Sequence, residues 1–199
     1  MYIEAIASSP DFRRLDSIAG VSVELRYATP NNFVGRDLYG EVDCAWLHID
    51  AAAALEKSIA WLQHQRPDLS VLVLDALRPQ RVQEALWAAL QGTDLLMYLA
   101  NPAGGSIHSF GMALDLTLLD RHGRELDMGT PFDDLTALSH PALEEGFLAS
   151  GQLTHMQVAN RRLLRAAMHH GGWHGINTEW WHFDCGDRVQ VRAGYVRIR

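Results

Sequence analysis

Little in this chain is basic, cysteine-bearing or continuously apolar, and each shortage removes a class of protein. Lysine and arginine together number 17 against 24 acidic residues, a net charge of -7. Such a surface repels a phosphate backbone, so a nucleic-acid partner is not expected. No apolar run approaches the ~20 residues that a membrane-spanning helix needs. The opening Met1-Tyr2-Ile3-Glu4-Ala5 has no basic stretch followed by an apolar one. A cytoplasmic protein with no membrane partner is the expectation. Cys44 and Cys185 lack the CxxC spacing of a structural zinc site or a redox pair, and both read as small buried or half-buried thiols. Repeats, low-complexity segments and linker-like stretches are also missing. With 199 residues, 48% of them hydrophobic and 21% charged, the chain reads as one globular domain over 1–199.

What is present is a mixture of helix and strand patterns. Ser22 to Ala28 alternates as a strand does, and Thr29-Pro30-Asn31-Asn32 follows as turn chemistry. From His48 to Gln65 the apolar Ala52, Leu55, Ile59 and Leu62 recur at steps of three and four, which predicts an amphipathic helix closed by Pro67. Val71 to Leu74 reads as a strand buried on both faces, and Arg78-Pro79 opens a second helix. In Gly111 to Leu119 the side chains of Met112, Leu114, Leu116 and Leu118 share one face, leaving Asp115 on the other. Asn160 to His170 is a third helix, stopped by Gly171-Gly172, and Glu179 to Asp184 is a last strand. The fold class is therefore α+β.

The chemistry lies in two clusters, Ser106-Ile107-His108 with Asp115, and Glu179-Trp180-Trp181-His182. Either alone is unremarkable, since a histidine in a strand is commonly a hydrogen-bonded core residue. Together they supply two histidines and two carboxylates. A catalytic zinc takes three protein ligands of nitrogen and oxygen and keeps one position open. Asp115, short and set within a hydrophobic run, needs a metal or a cation to offset its charge. Glu179 is longer and suited to reach a metal-bound water as base. On a regular strand residues 179 and 182 would face opposite sides, so Glu179 has to lie at an irregular start or on a bulge. His169, His170 and His174 form an alternative set at a glycine-flanked helix end. Trp180 and Trp181 read as core and pocket wall.

The pattern S-x-H-x6-D followed by E-W-W-H resembles the VanX-type D-alanyl-D-alanine dipeptidases. They belong to the zinc D-alanyl-D-alanine carboxypeptidase group, which shares its fold with the hedgehog signalling domain. The resemblance extends through Leu25 to Thr29, Asn32-Phe33, Tyr39-Gly40, Arg78 to Arg81, Asp115 to Leu118, Met128-Gly129 with Phe132-Asp133, Asn160 to Leu164 and Glu179 to His182. It implies a central, mainly antiparallel sheet with flanking helices, and a zinc ion on His108, Asp115 and His182. It also implies Glu179 as base, Arg78 steadying the tetrahedral intermediate, Ser106 and Asp133 receiving the substrate's ammonium end, and Tyr27 in the pocket wall. The small substrate would be D-alanyl-D-alanine. Phe110 and Met112 depart from the family pattern and leave the shape of the pocket open, and the residues after Cys185 match no family motif. A carboxypeptidase of the same zinc group and a zinc-stabilised binding module are the alternatives. Glu179 and Arg78 argue against the module, because a structural metal uses neither a base nor an oxyanion partner.

Overall fold

The apolar run from Ala113 to Leu119 becomes the middle strand of the sheet in the computed structural model, which describes residues 1–199. Five strands lie in the order β2 (Val21–Val23), β4 (Ser70–Asp75), β5 (Ala113–Leu119), β7 (His182–Cys185) and β6 (Trp173–Gly175). A separate antiparallel pair joins β1 (Phe12–Arg14) to β3 (Trp46–His48). Only β2 and β4 run parallel, through a crossover that carries helix α1 (Ile49–Gln65), while the other ladders of the large sheet are antiparallel. Helices α2 (Gln80–Leu90), α3 (Glu144–Ala149), α4 (His155–His170) and α5 (Arg188–Gly194) complete the mixed α+β architecture.

The expected amphipathic helix is α1, and its four marked residues Ala52, Leu55, Ile59 and Leu62 are all buried. Each large aliphatic side chain buried in this way contributes roughly 1.5–3 kcal/mol. The ring of His48 caps the helix by accepting the Asp50 N–H at 3.2 Å. Against α1 lies the end of α4, where a Cβ on Gly171 would stand 2.1 Å from Ser58 Oγ and 2.4 Å from the Ala54 carbonyl. Only glycine permits that approach. Strand β4 is covered on both faces, with Val71 and Val73 in the main core and Leu72 and Leu74 in a smaller cluster with Leu119.

Three boundaries differ from the sequence expectation. The first strand ends at Val23, and Arg26–Ala28 is a 3-10 turn. As the edge of the sheet, β2 has one neighbour, so its chain is free to turn and drive Tyr27 inward. The third helix begins at His155 rather than Asn160, because Thr154 and Gln157 form a reciprocal capping box. The last strand begins at His182, leaving Glu179 in the irregular segment before it.

Candidate active site

Asp115 lies directly opposite His182 across the β5–β7 ladder and opposite Asp75 across the β4–β5 ladder. The second pairing depends on a bulge. Val73 faces Leu116, so an unbroken ladder would set Leu74 against Asp115, but the register shifts between Val73 and Asp75 and brings the carboxylate into the row. His108 enters from the 3-10 turn Ile107–Phe110. Gly111 ends that turn at a φ of 66°, and a Cβ there would lie 2.8 Å from the His48 nitrogen. Glycine thus lets the chain reverse from His108 into β5.

The donor atoms converge. His108 Nε2 is 3.2 Å from His182 Nδ1 and 3.4 Å from Asp115 Oδ1, and His182 Nδ1 is 2.9 Å from the same oxygen. The outer nitrogens are engaged elsewhere, His108 Nδ1 at 2.8 Å from the Ala76 carbonyl and His182 Nε2 at 3.0 Å from Asp184 Oδ1. With those N–H groups donating outward, His108 Nε2 and His182 Nδ1 turn lone pairs toward Asp115, the arrangement in which histidines ligate metals. All three residues are buried, and two imidazoles with a carboxylate suit a divalent cation. Burial disfavours a charged Asp115, yet His108 and His182 hold it well below the usual carboxylate range. Burial likewise opposes a protonated His182, but Asp184 and Asp115 outweigh it and raise its pKa. A metal at this point would replace that proton.

Arg78 stands at the turn from β4 to α2, 6% exposed. Its Nε and Nη2 donate to Asp75 Oδ2 at 2.9 and 2.6 Å, its Nη2 reaches Asp115 Oδ2 at 3.4 Å, and its Nη1 donates to Gln83 Oε1 at 3.1 Å. Tyr39 donates to the other oxygen of Asp75. The guanidinium is therefore locked, with one Nη1 hydrogen left unpaired.

A cleft of about 280 Å³ opens on this row, and Tyr27, Arg78, Ser106, His108, Asp115, Asp133, Glu179 and His182 all line it. Every expected site residue is thus gathered in one place. Glu179 is half-buried, and burial pushes its carboxyl up to about 7, with Asp115 adding to the shift and His182 opposing it. Because its segment precedes β7, Glu179 faces the same cleft as His182. Asp133 accepts from Tyr27 Oη at 3.0 Å and from the Phe33 N–H at 3.4 Å. Its φ of 63° is a left-handed conformation that aspartate tolerates better than most residues. Burial, then Asp115, drives its carboxyl well above the ordinary value, against the Tyr27 hydrogen bond.

Phe110 and Met112 lie in the main core and not in the cleft wall, so they leave the cleft surface to other residues. His169, His170 and His174 do not gather as donors; His170 instead stacks on Trp61 with ring centroids 5.7 Å apart. Sequence reasoning missed Asp75, Gln83 and Asp184, which orient Arg78 and His182. The only available signal was their closeness in the chain to those residues. It also missed Tyr98, Arg188 and Arg192, which line the cleft from segments without a recognised motif.

Comparison with known proteins shows which family the chain resembles. The family model described as peptidase M15, D-ala-D-ala dipeptidase, matches residues 10–197. A D-alanyl-D-alanine dipeptidase of Escherichia coli (strain K12) is 41% identical over 164 residues, covering 82% of this chain and 78% of the relative. One from Enterococcus faecium is 32% identical over 195 residues, covering 88% and 92% respectively. One from Synechocystis sp. is 28% identical over 186 residues, covering 78% and 75%. This chain is a peptidase and belongs to the M15 family of D-ala-D-ala dipeptidases.

Proposed function

We propose that this protein is a zinc-dependent dipeptidase that hydrolyses D-alanyl-D-alanine to two molecules of D-alanine. One observation carries the reading: His108, Asp115 and His182 turn their donor atoms toward a common point in a cleft that also holds Glu179, a carboxylate outside the donor set. That set matches the two histidines and one carboxylate of many catalytic zinc sites. Zinc on His108, Asp115 and His182 would lower the pKa of a water toward ~7 and polarise a carbonyl.

The chain's own residues do the rest. Glu179 takes a proton from the attacking water and returns it to the leaving nitrogen as the amide bond breaks. Arg78, fixed by Asp75 and Gln83, donates its remaining Nη1 hydrogen to the carbonyl oxygen as that atom gains charge. Asp133 receives the ammonium end of the substrate, and Tyr27, which donates to Asp133, forms the pocket wall beside it. The small cleft suits a dipeptide better than a longer peptidoglycan stem. A cytoplasmic setting belongs to the same reading, since the free thiols of Cys44 and Cys185 suit a reducing compartment.

The test is turnover of D-alanyl-D-alanine by the purified protein before chelation, after it, and after zinc is returned. An N-acylated peptide ending in D-alanyl-D-alanine runs in parallel. Zinc-dependent cleavage of the free dipeptide alone supports the reading. Cleavage of the acylated peptide alone would move the protein to the carboxypeptidases, and metal binding without any turnover would make it a binding module.

A further inference from the structure

A free dipeptide is a zwitterion, and the proposed dipeptidase reading, on which this inference rests, accounts only for its ammonium end. The carboxylate needs a cation. Arg78 is committed to Asp75, Gln83 and Asp115 beside the donor triad. The other guanidinium groups lining the cleft are Arg188 and Arg192. Both lie on α5, four residues apart and therefore on one helix face.

Each is held by a bond that leaves one end free. Arg188 approaches Asp184 Oδ2 with Nε and Nη2 at 2.5 Å. Arg192 donates through Nε and Nη2 to the Gly105 carbonyl at 3.2 Å, next to Ser106. Neither Nη1 has a protein partner. Asp184 belongs to β7, on one side of β5 in the sheet, whereas Asp133 is bonded to Tyr27 and Phe33 in the segment that follows β2, a strand on the other side of β5. Asp115, on β5, lies between them. The cleft is thus negative at its β2 end and positive at its α5 end, with the metal donors between.

We infer that Arg188 and Arg192 form the subsite that receives the substrate's free C-terminal carboxylate. Guanidinium forks pair with carboxylates through charge-assisted hydrogen bonds, and an amide or ester in the same place forfeits the charge. The enzyme is then selective for dipeptides with a free acid terminus.

The experiment compares kcat/KM for D-alanyl-D-alanine and D-alanyl-D-alaninamide in the unaltered zinc enzyme, the Arg188→Gln/Arg192→Gln variant and the double lysine variant, with metal content measured in each. The unaltered enzyme should prefer the acid by ~10²-fold, and the glutamine variant should lose most of that preference through a higher KM for the acid. Lysines should restore part of it. If α5 only braces Asp184 and His182, both substrates slow alike and the preference survives, which overturns the subsite while the dipeptidase reading stands. No preference in the unaltered enzyme also overturns it. No turnover of the dipeptide by the unaltered enzyme overturns both. Should the double variant fail to fold, Arg192→Gln alone decides the matter, with a fall in preference of ~10-fold expected and an unchanged ratio overturning the subsite.

Discussion

Trp180 Nε1 donates to Thr130 Oγ1 at 2.9 Å, and this bond ties the segment that carries Glu179 to the one that carries Asp133. Beneath it lies Arg161, 1% exposed, which donates to the Met128 carbonyl at 2.6 Å, to the Leu138 carbonyl at 3.0 Å and to Thr130 Oγ1 at 3.4 Å. Trp180→Phe should cost ~1 kcal/mol for the lost bond. Arg161→Met should cost ~3 kcal/mol or more, since it strands several buried acceptors at once. Urea unfolding measures both, and a smaller loss for Arg161→Met than for Trp180→Phe would contradict the ranking.

The proposed metal donors depend on a residue outside the triad. Asp184 accepts from His182 Nε2 and so keeps Nδ1 turned toward Asp115. Alanine at His108, Asp115 or His182 should abolish stoichiometric zinc binding. Asp184→Asn should weaken it by ~10–10²-fold, the usual cost of losing a partner that orients a ligand. Competition with a chromophoric chelator reads both effects. Undiminished affinity in the Asp184 variant would remove the residue from this role.

As the proposed base, Glu179 would act only when ionised. Burial holds its carboxyl near 7 in the metal-free cleft, and a bound cation nearby favours the ionised form and brings the pKa down. The kcat/KM profile should therefore fall as the medium is acidified, with a midpoint below about 7. Glu179→Ala should keep zinc, lose ~10²-fold or more in rate and flatten that limb. Arg78→Ala should lower kcat by ~10²–10³-fold, as lost oxyanion donors do. An unchanged acid limb in Glu179→Ala would assign the titration to another group.

Asp133 supplies the test of substrate class. Its carboxyl is pushed up by burial and by Asp115, and an ammonium partner favours ionisation where an acyl amide does not. The dipeptide should exceed its N-acetyl derivative by ~10³-fold or more in kcat/KM. Asp133→Asn is the sharper variant, because asparagine also tolerates the φ of 63° while removing the charge. It should erase most of that discrimination. A preserved preference would mean that another group reads the ammonium.

The pairing of Asp115 with His182 shows what residue chemistry can nominate and where it stops. Residue chemistry and the family resemblance nominated both, periodicity marked α1, a short apolar run marked β4, and Pro79 marked the start of α2. These properties are carried by short stretches of chain. The bulge that sets Asp75 beside Asp115, the bond between His182 and Asp184 and the presence of the α5 arginines in the same cleft as Asp133 depend on register between distant segments. An alternating pattern states which residues share a face but not which partner each one meets. The sequence by itself determined the candidate reactive groups and most of the elements. Only the tertiary structure decided their alignment, because strand register and side-chain hydrogen bonds are settled by contacts made after the chain has folded back on itself.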